Sequence, residues 1–196
     1  ENNYYQDIFV RDLQTQITER VSVSNNGAEG NGDSSQPNIS ADGRYVVFTS
    51  YASNLVLGDN NSCQDIFIRD RLSGTTQIIT KSFEGGGTID QSFDPSINAD
   101  GRYVVFTSYA SNLVPNDVNE RADIFLWDRA TSSISRVSVT PSGGEANGDS
   151  SQPSISADGR YLVFSSSADN LVSSDTNGNQ DIFLRDLASG ITQRIS

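Results

Sequence analysis

Asp7, Asp65, Asp123 and Asp181 each open an Asp-Ile-Phe run, and each copy lies 58 residues after the last with no insertion or deletion. Gly43, Gly101 and Gly159 keep the same interval inside an Asp-Gly-Arg-Tyr run. A fixed period of this length marks an array of supersecondary units, none of which can bury its apolar surface without a neighbour. The 196 residues therefore share one continuous core. Arrays of this kind bind, scaffold or connect, and their repeated parts seldom carry covalent chemistry.

One repeat reads as four strands. Asn38-Ile39-Ser40 leads into the turn Ala41-Asp42-Gly43, where glycine supplies a positive φ. Arg44 to Ser50 is β-branched and aromatic with little polar alternation, which predicts a strand covered on both faces. A polar stretch follows, then Asp65 to Asp70 gives a third strand, and Ser73-Gly74 turns it into a fourth over Thr76 to Thr80. Helix is excluded by the missing 3.6-residue periodicity and the frequency of turn residues. The fold class is therefore all-β: a β-propeller of four-stranded antiparallel blades.

The run Ile39-Ser40-Ala41-Asp42-Gly43-Arg44-Tyr45-Val46-Val47-Phe48-Thr49-Ser50, followed by Asp65-Ile66-Phe67, resembles the TolB-like (WD40-like, PD40) propeller repeat. The resemblance recurs at 97–125 and 155–183 and covers almost the whole chain. It implies fold far more than function. The segment between the second and third strands is longer than is usual in TolB-like repeats.

Residues 1–22 match 175–196 in phase, so the chain opens on the last two strands of a blade. The expected division is 1–34 as a half blade with its connecting loop, then blades at 35–92, 93–150 and 151–196. Three full blades plus a half blade fall short of a closed ring. Continuation in a longer chain is expected, or closure against another chain as a homo-oligomer. The lack of methionine, first position included, agrees with the former.

The composition narrows the partners. With 25 acidic and 13 basic side chains the net charge is −12, which argues against nucleic acid and against an anionic membrane surface. Protein or glycan partners, and cations, fit better. No apolar run reaches membrane-spanning length, so no membrane insertion is expected. Histidine is absent and Cys63 is the single cysteine. The commonest general base, every His-activated nucleophile and Cys-based zinc sites are thereby removed.

In a four-stranded blade the two short hairpins share one rim and the two long loops the other. Long loops on a rigid scaffold are the expected working face. That rim carries Asp59, Asn61 and Asp65; Asp117, Asn119 and Asp123; Asp175, Asn177 and Asp181; and, in the first copy, Glu1, Asn3 and Asp7. Oxygen ligands at positions one, three and seven of a short loop resemble calcium loops. The competing reading makes them Asx caps that bond nearby backbone amides and need no ion. Three residues break the repeat: Phe83, Phe93 and Trp127 replace small, polar or Arg counterparts and are candidate contact residues.

These features point to a non-catalytic binding or scaffold module of an extracellular or cell-envelope (periplasmic) protein of bacterial type, contacting protein or glycan and stiffened by calcium if the loops are ligands. One alternative is the propeller part of a larger carbohydrate-active or peptidase-type enzyme, with carboxylates such as Asp33 and Asp59 as acid and base. A second is a self-assembling subunit that closes its propeller with another chain.

Overall fold

A computed structural model describes residues 3–196, which form fourteen strands and no helix. Strands β1 (Phe9–Arg11) and β2 (Thr18–Arg20) pair as a two-stranded antiparallel sheet. Three four-stranded antiparallel sheets follow. The first holds β3 (Ser34–Ile39), β4 (Tyr45–Ser50), β5 (Asp65–Asp70) and β6 (Thr75–Ile78). The second holds β7 (Ser92–Ile97), β8 (Tyr103–Ser108), β9 (Asp123–Asp128) and β10 (Ser133–Arg136). The third holds β11 (Ser150–Ile155), β12 (Tyr161–Ser166), β13 (Asp181–Asp186) and β14 (Ile191–Arg194). In each, sequential strands are neighbours, as in a propeller blade.

The near-continuous apolar strands of the first two blades are buried on both faces because each lies between two neighbouring sheets. Val46, Phe48 and Phe67 pack with Ile8 and Val21 of the preceding sheet. Tyr45, Val47, Ile66 and Ile68 point the other way and pack with Val104, Phe106 and Trp127 of the next blade. Successive residues of a strand face opposite sides, so a sheet between two neighbours needs apolar side chains at every position. Directly opposed Phe pairs fill each blade: Phe48 with Phe67 at 5.9 Å between ring centroids, Phe106 with Phe125 and Phe164 with Phe183 at 5.8 Å.

The inner strand starts earlier than the turn chemistry suggests. Ser34, Ser92 and Ser150 already pair with the second strand, and the register then slips around Gln36-Pro37, Asp94-Pro95 and Gln152-Pro153. Proline cannot donate to a ladder, so it sits in an edge strand at a bulge. Gln36, Asp94 and Gln152 take φ of 51°, 52° and 55° there. Gln36 and Asp94 pair across two blades: Gln36 Nε2 donates to Asp94 Oδ1 at 2.6 Å, and the Asp94 amide donates to Gln36 Oε1 at 3.0 Å.

The Asp-Gly-Arg-Tyr run is a joint between blades as well as a turn. The Arg44 amide donates to Asp42 Oδ1 at 2.9 Å, and the Arg44 guanidinium grips Asp70 through two bonds of 2.9 and 2.7 Å. Tyr45 lies between two guanidiniums, Arg44 of its own blade at 4.8 Å and Arg129 of the next at 4.3 Å. Gly101, at φ +70°, comes so close to the Tyr45 ring that a Cβ would run into it. Gly143 has φ +82° but open space around it. Gly143→Ala should therefore cost about 1 kcal/mol, the penalty of a left-handed backbone alone. Gly101→Ala adds the clash and should cost roughly 2–4 kcal/mol. Urea unfolding of the two variants side by side measures the difference.

Candidate functional site

The two long loops of each blade do lie together. Asn54 Oδ1 accepts from the Asn31 amide at 3.0 Å and Asn54 Nδ2 donates to the Glu29 carbonyl at 2.8 Å, tying the loop after β4 to the connection that enters the blade. Asn112 and Asn170 repeat the tie at Ile89 and Gly87, and at Asn147 and Glu145. These loops hold the repeated acids. Of the candidate ligands, Glu1 lies outside the described residues; the other eleven are placed.

The Asp of Asp-Ile-Phe anchors the third strand to the fourth. Asp65 Oδ1 accepts from Thr80 Oγ1 at 2.6 Å, and Thr80 Oγ1 accepts from the Ile66 amide at 3.1 Å. The same relay runs Asp7–Ser22–Ile8, Asp123–Ser138–Ile124 and Asp181–Ser196–Ile182. A buried carboxylate has to be hydrogen-bonded, and a hydroxyl fifteen residues on satisfies it while capping a backbone donor. This serine or threonine column is visible in the repeat but carries no familiar motif.

The Asn between the acids is a cap. Asn3, Asn61, Asn119 and Asn177 each accept, through Oδ1, the amide two residues on, at Tyr5, Cys63, Arg121 and Asn179. That bond fixes the side chain so that Nδ2, a donor, faces the aspartate: 3.3 Å in the first copy and 2.9, 2.9 and 2.8 Å in the others.

The positive charge among the acids comes from the fourth strand. Arg136 Nη1 lies 3.0 Å from Asp117, 3.5 Å from Asp123 and 2.8 Å from Glu145. Arg194 Nη1 lies 2.7 Å from Asp175 and 3.5 Å from Asp181. Arg20 lies 3.5 Å from Asp7 and pairs with Glu29. In the first full blade the corresponding residues are Ile78 for the arginine and Gly87 for the glutamate. Asp59 there has no ion pair among the described residues. A cavity of about 340 Å³ opens beside it, lined by Ile78, Asn61, Thr80, Lys81 and Gly85 to Gly87.

The aromatic candidates separate. Trp127 is 4% exposed and belongs to the core between two blades, so it offers no free ring. Its edge lines a groove of about 540 Å³ whose rim includes the exposed Phe83 and Leu57. Phe93 stands apart in inner strand β7, its ring 5.8 Å from Tyr109. Asp33 Oδ1 accepts from the Gln6 amide at 2.8 Å, a capping task, whereas Asp59 lines the open cavity.

Burial raises Asp59 from the ordinary 3.8 to about 6, with the nearby Asp65 carboxylate as the second cause. Asp117 is likewise raised to about 6 by burial, with Arg136 pulling the other way. Asp70 and Asp186 are held below the usual range, first by hydrogen bonds from Arg44 and Arg160. A carboxyl raised in the folded state binds its proton more tightly there than when unfolded, so stability falls as pH climbs from about 4 to 6. The depressed carboxyls contribute stability above their ordinary value and lose it as pH falls below about 4. Urea midpoints should therefore peak near pH 4 and decline between about pH 4 and pH 6, and Asp59→Asn should flatten that decline.

No protein-family profile and no curated protein matches the sequence. Solved structures do match. TolB from Acinetobacter baumannii superposes with a TM-score of 0.57 at 21% identity, over 97% of this chain and 37% of that one. The tricorn protease gives 0.56 at 16% identity, over 94% of this chain and 16% of that one. An oligogalacturonate lyase from Vibrio parahaemolyticus gives 0.51 at 14% identity, over 97% and 46%. The chain thus spans less than half the length of each of these proteins. The blade order, the joint between blades and these superpositions agree that the chain carries the TolB-like β-propeller fold.

Proposed function

We propose that this propeller module is a non-catalytic binding or scaffold part of an extracellular or cell-envelope protein, and that it presents its long-loop face to a protein partner. The observation that carries this reading is the engagement of the repeated acids other than Asp59. Asp65, Asp123 and Asp181 are consumed by strand-locking hydroxyl relays, and Asp117 and Asp175 by built-in arginines. A general acid or base must instead be within reach of a substrate proton. The accessible apolar surface of the face, Leu57 and Phe83 beside the groove, suits a protein contact. The envelope location rests on the resemblance to TolB-type repeats, and fractionation of the source cells tests it: recovery in the cytosol alone would refute it.

The partner reading is tested by crosslinking the module in its native extract, comparing wild type with Leu57→Asp plus Phe83→Asp. One specific crosslinked protein, lost in the double variant, is expected. Turnover of a peptide or oligogalacturonate substrate, retained in that variant, would overturn the non-catalytic reading. Calcium stiffening is disfavoured by the Asn amide donors that face the aspartates and by the arginines already among them. Thermal unfolding curves with calcium and with chelator should superimpose; a rise of many degrees would establish ligation through linkage to the native state.

A further inference from the structure

In three of the four copies an arginine from the fourth strand sits among the loop acids, and in the first full blade it does not. Ile78 replaces that arginine and Gly87 replaces the glutamate that Arg20 and Arg136 also contact. The two changes together remove one positive and one negative charge, so Asp59 and Asp65 keep the net charge of the Asp117, Asp123, Glu145 and Arg136 set. The filling is what disappears. The space left is the cavity of about 340 Å³ lined by Asp59, Ile78 and Gly87.

Asp59 is the carboxylate that lines the cavity, and Asp65, itself fully buried, keeps the bond that its counterpart makes beside a guanidinium. Asp65 Oδ2 still accepts from Asn61 Nδ2 at 2.9 Å, as Asp123 Oδ2 does from Asn119, yet it lacks the arginine that stands 3.5 Å from Asp123. A second hydroxyl, Thr88 Oγ1, supports Asp65 Oδ1 at 3.0 Å and holds it in place without filling the hole. The burial that raises Asp59 is offset by no neighbouring cation, Lys81 included, although Lys81 lines the cavity.

We propose that this cavity is a binding site for a guanidinium group, supplied in trans by an arginine side chain of a partner protein. This deepens the binding-module reading above and rests on it. A planar guanidinium satisfies several carboxylate oxygens at once, which an ammonium cannot do as well. The source is a peptide for a further reason. Leu57, Ile78 and Lys81 line both this cavity and the 540 Å³ groove beside it, where Val114 and Phe83 offer apolar surface to the residue next to the arginine. The net charge of −12 favours approach of a basic partner.

Calorimetric titration of the intact chain with acetyl-Arg-Leu-amide, acetyl-Lys-Leu-amide, free arginine and calcium chloride tests the proposal. The arginyl dipeptide should bind at least about tenfold more tightly than the lysyl one, a difference of about 1.4 kcal/mol. It should also bind more tightly than free arginine, and Asp59→Asn should weaken it at least about tenfold. Ile78→Arg should abolish binding by restoring the internal guanidinium. That variant copies the residue found at Arg20, Arg136 and Arg194, so the fold accommodates it, and a melting curve verifies this. Equal binding of free arginine would assign the site to the small molecule and overturn the peptide source. Absence of arginine binding, binding that survives Ile78→Arg, or calcium binding lost in the same variants would each overturn the guanidinium site. If the site fails while the crosslinked partner is still lost on Leu57→Asp plus Phe83→Asp, the binding-module reading stands without it.

Discussion

Each sheet in this chain is apolar on both faces, and that leaves no blade at rest by itself. Val46 and Phe48 must meet the preceding sheet while Tyr45 and Val47 meet the next. Burial of this surface supplies the main driving force for assembly, and it is nondirectional. Something else has to set the spacing and angle between blades. The Tyr45 ring does this: it is held between Arg44 and Arg129 and lies flush against the backbone of Gly101. Tyr103 and Gly159 repeat the contact one blade later. The apolar faces demand a neighbour, and the tyrosine against glycine fixes where that neighbour stands.

Once the blades are stacked, their polar loops are brought beside low-dielectric surface, where an unpaired charge is costly. The acids respond with partners drawn from the same repeat. One hydroxyl locks the third strand to the fourth, an Asn side chain caps the loop, and an arginine at the end of the fourth strand pairs with the acids. Asp65, Asp123 and Asp181 are thus engaged inside their own repeats as fastenings between strands. The loops of the long-loop face are tied to each other separately, through Asn54, Asn112 and Asn170.

The fold was legible because its signals are local and repeated: Asp-Gly turns, apolar runs of strand length, and a period without slippage. The inner strand was less so, because Asn31 to Pro37 reads as loop chemistry. Its second half is strand, with proline tolerated only because that strand lines the inner edge and bulges. The site was harder still. Oxygen-bearing side chains at positions one, three and seven serve calcium loops and Asx caps alike, so the spacing by itself does not separate them. Trp127 stands out because it replaces the arginine of the other copies, yet burial between blades explains it. Ile78 and Gly87 are ordinary residues that no motif search would select; the signal was the pair of missing charges at fixed phase.

In an array of near-copies, a residue that recurs is explained by the requirements of the blade, and a residue that departs has escaped them. A single departure such as Cys63, whose counterparts are Arg121 and Asn179, needs no purpose. A coordinated departure is different. Loss of the arginine alone would leave an excess of buried negative charge, and loss of the glutamate alone would leave the arginine one partner short. Losing both keeps the charge of the set and exchanges an internal ion pair for open space. The blade tolerates that exchange because Thr88 adds a second hydroxyl to Asp65. An opening made without disturbing the fold, next to apolar surface and lined by an unpaired carboxylate, is where an otherwise uniform rim becomes selective.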